Sequence, residues 1–282
     1  MTRPNVGAQW RHLKESDEYF CRISNKKPFS TAREIYEEAG GPPMLSISTV
    51  QRYLRKSGLF GRISTKKPLL TKTNIKKRIS WCKAYTNFKV SDWKDVVFSD
   101  EVRIEMHSKR RRFVRRRIGE SLKFRFVTKT VKYGGFHILL WGAIKGDGTR
   151  ILVQCPNRIN STIYQDVLSN GLFQVYNSSN IFMQNYAPCH KLRSTIQFLE
   201  DNNVCMMDDW PPQSPDLNVI ENLWSILKQE VLKEHPKSAA DLWLVAQRKW
   251  YAISNDVITN LYQSIPRRLS AVLEAKGLYT KY

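Results

Sequence analysis

The stretch WPPQSPDLNVIENLW, residues 210–224, joins a proline-rich loop to the start of a helix. Asp216 and Asn218 are residue types that cap helix N-termini, and either can cap a helix that carries Glu221 in its first turns. The sequence therefore predicts a carboxylate held near the beginning of a helix, beside a loop whose prolines restrict its conformation.

Two other polar positions follow apolar runs that predict short buried strands. Asp100 ends the segment DVVFSD, residues 95–100, and the segment QNYAPCH, residues 184–190, follows the apolar run 181–183. We expect the ends of these strands and the start of the later helix to converge on one point.

From residue 95 onwards strands come first and then alternate with helices, which is typical of a mixed α/β domain. The further predicted elements are a charged ribbon over 111–117, strands over 135–144 and near 204–206, helices over 161–176, 187–201 and 217–233, and a helical C-terminal region over 239–282.

The N-terminal part has the layout of a helix-turn-helix. Helices are predicted within 16–40 and over 46–58, separated by the turn GGPP at 40–43. The second helix carries an apolar stripe of Val50, Tyr53 and Leu54, while its polar and basic residues lie mostly off that stripe: Ser48, Gln51, Arg52 and Arg55. In this layout the second helix enters the major groove of DNA. Two ordinary helices of a small bundle would give the same pattern.

The distribution of charge favours DNA binding. The chain of 282 residues has 46 Lys and Arg against 25 Asp and Glu; residues 1–150 hold 34 of the basic and 13 of the acidic residues, and the rest is neutral. This asymmetry is expected of a nucleic-acid-binding region joined to a neutral one. The basic residues form two clusters. One is a tail after the second helix (Arg62, Lys66, Lys67, Lys72, Lys76, Lys77 and Arg78), and the other is the run 109–117, which contains the ribbon (Lys109, Arg110, Arg111, Arg112, Arg115, Arg116 and Arg117). Binding to a membrane surface is disfavoured, because no basic amphipathic helix with an aromatic apolar face is present.

Composition excludes several other classes of protein. The longest nearly uncharged apolar run, residues 136–144, is far shorter than the ~20 residues that span a bilayer. The five cysteines are scattered, which argues against a disulfide framework or a structural zinc site. We expect a soluble intracellular protein without a signal peptide.

The chain resembles transposases of the Tc/mariner superfamily. The resemblance rests on Trp93, the segments VFSDE at 97–101 and APCH at 187–190, the 210–224 stretch, and IPRRL at 265–269, together with the pair Trp141–Gly142. It implies a ribonuclease-H-like sheet flanked by helices, preceded by a small all-α helix-turn-helix domain.

The resemblance also implies a metal-dependent nuclease. In that family two Asp and a final Glu hold two Mg²⁺ ions, and the matching catalytic and metal positions here are Asp100, Asn185 and Glu221. Phosphodiester cleavage with two metals needs hard anionic oxygen ligands, which carboxylates supply. Mg²⁺, with Mn²⁺ as a substitute, is the expected cofactor.

Two departures from the family bear on activity. The family has Asp-Asn-Ala-Pro where this chain has Asn185 and Tyr186 before Ala-Pro, and 35 rather than thirty-four residues separate Asn185 from Glu221. Asp208 or Asp209 is a weak candidate to replace the missing charge. The chain also starts near the second of the family's two helix-turn-helix units, so we expect the first to be absent.

These observations predict a division into a helix-turn-helix domain (1–60), a basic linker and helix (61–92), a DDE-type nuclease domain (93–235) and a C-terminal helical region (236–282). The predicted function is a nuclear transposase-like protein that binds double-stranded DNA, both transposon terminal inverted repeats and target DNA. A homodimer is possible on this interpretation, and catalysis is expected to be impaired. The alternative is a non-catalytic, sequence-specific DNA-binding protein derived from a transposase. A general nuclease of the same fold is disfavoured by the 210–224 motif.

Overall fold

The computed structural model describes residues 18–40, 45–62, 64, 67–105 and 136–282. The chain divides into two compact units, Met1–Lys67 and Pro68–Tyr282. The predicted ribbon over 111–117, the basic run 109–117 that contains it and has seven basic residues, and Lys66 lie outside the described residues.

The described residues of the first unit form three helices: α1 (18–26), α2 (Ala32–Glu38) and α3 (Ile47–Lys56). Thr31 caps α2 in a capping box with Glu34, and Ser46 caps α3 through the Thr49 amide. The helices share a small core of Phe20, Ile23, Ile35, Val50 and Leu54. The predicted helices are therefore present, with Val50 and Leu54 of the apolar stripe of α3 facing inward, while residues 41–43 of the predicted turn lie outside the described residues.

The described residues of the second unit, 68–105 and 136–282, are built on a four-stranded sheet. Its strands are β1 (Val96–Glu105), β2 (His137–Ile144), β3 (Arg150–Cys155) and β4 (Ile181–Met183), in the order β3-β2-β1-β4. β2 is antiparallel to both β1 and β3, and β4 is parallel to β1. The predicted strand near 204–206 is wrong, since only an isolated bridge joins Met206 to Phe182.

Helices cover both faces of this sheet. They are α4 (Lys72–Ala84), α5 (Val90–Lys94), α6 (Ser161–Gly171), α7 (Arg193–Asp201), α8 (Ile220–Lys233), α9 (Ala239–Tyr251), α10 (Asn255–Gln263) and α11 (Ile265–Glu274). Because side chains alternate along a strand, Val97 of β1 packs with α6 and α7 residues such as Tyr164 and Leu199, while Phe98 packs on the opposite face with residues such as Trp224 and Tyr262.

The predicted fold class, a mixed α/β sheet flanked by helices and preceded by a small helical domain, is confirmed. β3 and α5 are additions that the sequence reading missed. Within the part of the chain that is described, no helix has the length and apolar character needed to cross a membrane.

Candidate active site

Asp100 lies within β1 on the face that α8 covers, and two donors fix its carboxylate. Asn185 Nδ2 donates to Oδ1 and Trp224 Nε1 donates to Oδ2, each at 3.2 Å. Gly142 pairs with Asp100 across the sheet, and a Cβ on Gly142 would lie 2.5 Å from Cη2 of Trp224. The glycine therefore leaves the space that the indole needs to reach Asp100.

The carboxylate of Asp100 is held in an unfavourable electrostatic environment. Burial raises its pKa well above the usual value, and the negative charges of Glu221 and Glu101 raise the pKa further; the Trp224 hydrogen bond acts in the opposite direction. A bound cation would relieve both the desolvation and the repulsion. In charge and donor type, Asp100 and Glu221 therefore fit a divalent metal.

Glu221 reaches this site because α8 begins where the loop 210–219 meets β1. Asn218 Nδ2 donates to the Ser99 carbonyl at 3.3 Å, and Asn218 Oδ1 accepts from the Ile220 amide at 3.3 Å. Glu221 and Asp100 line one open cavity of about 350 Å³, together with Asn185, Trp210 and residues of the proline-rich loop. The three segments converge as predicted, but Asp100 lies inside β1, which continues to Glu105, and not at the end of a strand.

Asn185 presents the wrong end of its amide for a metal ligand next to Asp100. Its Oδ1 accepts from the Ala187 amide at 3.0 Å, so its Nδ2 faces the Asp100 carboxylate. Turning the amide over would place two donors, Nδ2 and the Ala187 N–H, against each other. Among the described residues, no group of three or more His, Cys, Asp or Glu side chains is placed to hold a metal.

His190 supports the loop that carries Asn185 instead of lining the cavity. Its Nδ1 lies 2.9 Å from the Asn185 carbonyl, to which it donates, and its ring stacks on Tyr164 at 4.0 Å between centroids. Its Nε2 is 3.2 Å from Oε1 of Glu101, within ion-pair distance but without hydrogen-bond geometry. Glu101 thus points to the face of β1 opposite Asp100, as its position next along the strand predicts.

Three sequence interpretations are wrong: the capping of α8 by Asp216, the place of Arg78 in the basic DNA-binding tail, and Asp208 or Asp209 as a replacement for the missing charge. Asp216 does not cap α8; it is buried in a bidentate ion pair with Arg78 at 2.7–2.8 Å. Arg78, which we placed with the basic DNA-binding tail, is therefore inaccessible. Asp208 and Asp209, the candidate replacements for the missing charge, do not line the cavity that holds Asp100.

The predicted DNA-binding residues that are described lie on the surface. Ser48, Gln51, Arg52 and Arg55 are exposed on α3, on the side away from the buried Val50 and Leu54. Lys67 is also exposed. Their contact with DNA stays a prediction.

Sequence reasoning missed the roles of Trp224, Gly142 and Asn218. Trp224 is buried in the core, and its indole N–H also holds Asp100. The signal was present, because these three residues lie in motifs that carry the family resemblance. A tryptophan close to a predicted catalytic Glu on one helix is a candidate donor to the site as well as a core residue.

Comparison with known proteins matches both units to described families. Residues 95–242 match the family described as DDE superfamily endonuclease, and residues 17–87 match a helix-turn-helix family described as Transposase. The fold and the site therefore define a DDE-type endonuclease domain preceded by a helix-turn-helix domain.

The relatives identify the family. The Tcb2 transposase of Caenorhabditis briggsae is 31% identical over 94% of this chain and 100% of its own length, and the Tc1 transposase of Caenorhabditis elegans is 30% identical over the same shares. Two solved structures share the fold at 18% identity: the Mos1 strand transfer complex, with a TM-score of 0.78 over 94% of this chain and 79% of that chain, and the Mos1 paired end complex with Mg, with a TM-score of 0.75 over 94% and 80%. The chain belongs to the Tc1/mariner transposase family, which confirms the resemblance read from its motifs.

Proposed function

We propose that this transposase binds transposon-end DNA through its helix-turn-helix. We further propose that its nuclease domain has the architecture for metal-dependent cleavage and strand transfer, but that its catalytic activity is impaired in this sequence. The observation that carries this proposal is the hydrogen bond from Asn185 Nδ2 to Asp100 Oδ1. The family resemblance leads us to expect a third carboxylate at position 185. Instead, the amide nitrogen of Asn185 donates a hydrogen bond to the carboxylate of Asp100.

Asp100 and Glu221 would hold the metal, and the Asn185 amide oxygen would have to leave Ala187 to join them. Mg²⁺ is proposed as the cofactor and Mn²⁺ as its substitute, in line with a Mos1 complex solved with each metal. When bound, such ions activate a nucleophile and stabilise the leaving oxygen. With one carboxylate fewer, the site offsets less of the +4 charge of two ions and should retain at least one of them poorly.

The first prediction tests this with Asn185→Asp. The substitution should strengthen Mg²⁺ binding, and should raise nicking of labelled terminal-repeat DNA more than any other single change, because it adds an anionic oxygen beside Asp100 and removes the donor. Calorimetry and a gel assay measure the two effects. Asn170→Asp, which adds the same charge on the exposed surface of α6, is the matched control.

Robust Mg²⁺-dependent cleavage by the unmodified chain that Asp100→Ala abolishes would contradict the proposal that the nuclease activity is impaired. It would show that two carboxylates suffice here.

The second candidate function is DNA binding without catalysis. It is favoured by the same Asn185 contact together with the exposed polar face of α3, which needs no metal. It predicts that Asn185→Asp leaves the chain without metal binding or nicking, while binding to the terminal repeat persists.

The proposal extends to the chain's partners and location. Mos1 was solved as a paired-end complex with a transposon end, and by analogy we propose that two copies of this chain hold two ends. We propose four parts with boundaries after residues 60, 92 and 235. We propose the nucleus as the location, because the proposed substrate is chromosomal DNA. The basic run 109–117, together with Lys66 and Lys67, would contact phosphates.

A further inference from the structure

A second cavity of about 580 Å³ lies beside the catalytic one, in a part of the molecule that has no role so far. One side is formed by α4 and the residues after it, and the other by the loops that follow β4 and Met206. The cavity is lined by Lys77, Ser80, Trp81, Ala84, Tyr85, Phe88, Tyr186, Asp208, Asp209 and Trp210.

The walls of this cavity are mainly aromatic. Trp81 packs edge-on against Trp210 at 4.9 Å between centroids and lies tilted against Tyr85 at 4.7 Å, and Tyr85 packs edge-on against Phe88 at 4.9 Å. The two indoles are buried, whereas Tyr85 and Phe88 are half-exposed and Tyr186 is 41% exposed. Aromatic surface that stays open to solvent beside a rigid cluster is suited to stacking a flat ligand.

The acidic groups of the cavity are the carboxylates of Asp208 and Asp209, which lie on a tight turn. These two acids line the cavity together with Tyr85 and Tyr186. Asp209 has φ +50°, a left-handed conformation that aspartate adopts in turns more readily than most residues. The Trp81 indole donates to the Asp208 carbonyl at 3.2 Å and fixes this turn.

Basic groups stand at the sides of the cavity. The Lys191 ammonium lies 4.5 Å from the centroid of the Tyr186 ring, and Lys77 lines the α4 side. The two cavities also share Tyr186 and Trp210 as lining residues. A strand whose phosphate sits at Asp100 therefore has a neighbouring nucleotide within reach of the aromatic cavity.

We propose that this cavity takes one unpaired nucleobase of the DNA strand bound in the catalytic cavity, with guanine the preferred base. Tyr186 and Tyr85 stack the base, Asp208 and Asp209 accept hydrogen bonds from its edge, and Lys77 and Lys191 contact the flanking phosphates. Guanine is preferred because its N1–H and N2–H donors lie side by side and match a carboxylate, whereas adenine and cytosine offer one amino group there. The inference deepens the proposed function and rests on it, since it assumes that DNA occupies the catalytic cavity.

The test uses the full chain without metal and two labelled single strands, TTTGTTT and TTTTTTT, compared by fluorescence anisotropy. Because the helix-turn-helix contributes equally to both strands, the ratio of the two affinities reports the cavity. We expect the guanine strand to bind about tenfold more tightly. Tyr186→Ala should reduce that ratio close to one, and Tyr186→Phe, which keeps the ring, should preserve it. Tyr251→Ala, which removes an exposed tyrosine from α9, is the matched control.

The double substitution Asp208→Asn and Asp209→Asn separates stacking from base recognition. Removing two negative charges should leave the overall affinity for single strands unchanged or higher, while the preference for guanine disappears. An equal affinity for both strands in the unmodified chain would overturn the proposal, as would equal effects of Tyr186→Ala and Tyr251→Ala. Displacement of the guanine strand by a trimethyl-lysine peptide at lower concentration than by dGMP would overturn it in favour of a site for cations. None of these measurements depends on cleavage, so the proposed nuclease function can fail while this site stands.

Discussion

Asp100 destabilises the folded chain when it is ionised, because burial removes its hydration and Glu221 and Glu101 repel it. Its pKa in the folded state lies above its value in the unfolded chain, so the folded state binds the proton more tightly. The destabilisation is absent below the unfolded-state pKa, grows as pH rises through the interval between the two values, and is complete above the folded-state pKa. Each unit of upward shift corresponds to about 1.4 kcal/mol.

The second prediction follows from this sign. Asp100→Asn removes the titrating group. The free energy of unfolding of the variant should therefore rise relative to that of the unmodified chain as pH increases from 4 to 8. Urea denaturation in EDTA at several pH values measures the difference, with Asp201→Asn, an exposed aspartate, as control. A difference that stays constant over this range would contradict the prediction.

The third prediction concerns Gly142, which leaves room for Trp224. Gly142→Ala should lower the free energy of unfolding by about 1–3 kcal/mol, because the new methyl overlaps the indole ring in a packed core. Displacing the ring should also break its hydrogen bond to Asp100. Gly61→Ala is the control, since no atom lies within 4 Å of a Cβ there and its φ is not positive. Equal stability of the two variants would show that Trp224 moves aside freely.

At the scale of elements, two buried arginines join α4, the proline-rich loop and the C-terminal segment. Arg78 donates to Asp216, to Ser214 and to the Gly277 carbonyl, so its guanidinium is satisfied although fully buried. Arg268 donates to the Asp216 carbonyl and to Asn222, which is next to Glu221. This network fixes the start of α8 and therefore the position of Glu221.

The fourth prediction is that Arg78→Met lowers the free energy of unfolding by about 3–5 kcal/mol, because Asp216 is left as a buried, uncompensated charge. Burial alone would raise the pKa of Asp216, but the hydrogen bonds and charge of Arg78 outweigh it and the pKa is lowered. The pair therefore stabilises the fold above the unfolded-state pKa of Asp216 and loses its effect as pH falls through the folded-state value. Urea denaturation measures the loss, and adding Asp216→Leu should recover most of it. No recovery in the double variant would assign the loss to packing and not to the unpaired charge.

Some elements could be predicted and others could not, for physical reasons. Apolar runs predicted β1, β2 and β4, and the hydroxyl caps and terminal glycine predicted α3. β3 was missed although Lys145–Thr149 forms a tight turn between two apolar runs, a detectable hairpin signal. The orientation of the Asn185 amide had no sequence signal, because it depends on the Ala187 N–H that the folded loop places beside it. The Arg78–Asp216 ion pair could not be predicted from the sequence either, because its two residues are 138 positions apart in the chain.

At the scale of the whole molecule, the distribution of charge fits the two proposed activities, DNA binding and metal-dependent catalysis. The basic excess lies entirely in residues 1–150, whereas the segment that carries Asn185 and Glu221 is neutral. A neutral scaffold suits a site that must hold cations and phosphate together, while a basic region provides salt-sensitive affinity for DNA. Binding should therefore persist in variants that abolish metal binding, such as Asp100→Ala.

The fifth prediction tests this division with Arg52, which is exposed on α3. Arg52→Ala should weaken binding to terminal-repeat duplex by about 1–3 kcal/mol and reduce the preference over a scrambled duplex, because a bidentate contact to guanine is lost. Arg248→Ala on α9 removes the same charge from the second compact unit, Pro68–Tyr282, and should change neither quantity. Titrations at several salt concentrations distinguish the possible contacts: a phosphate contact lowers the salt slope by about one and leaves the preference intact. Equal losses for the two variants would place DNA binding outside α3, and a loss of helical signal in Arg52→Ala would show that the two faces of this helix are assigned the wrong way round.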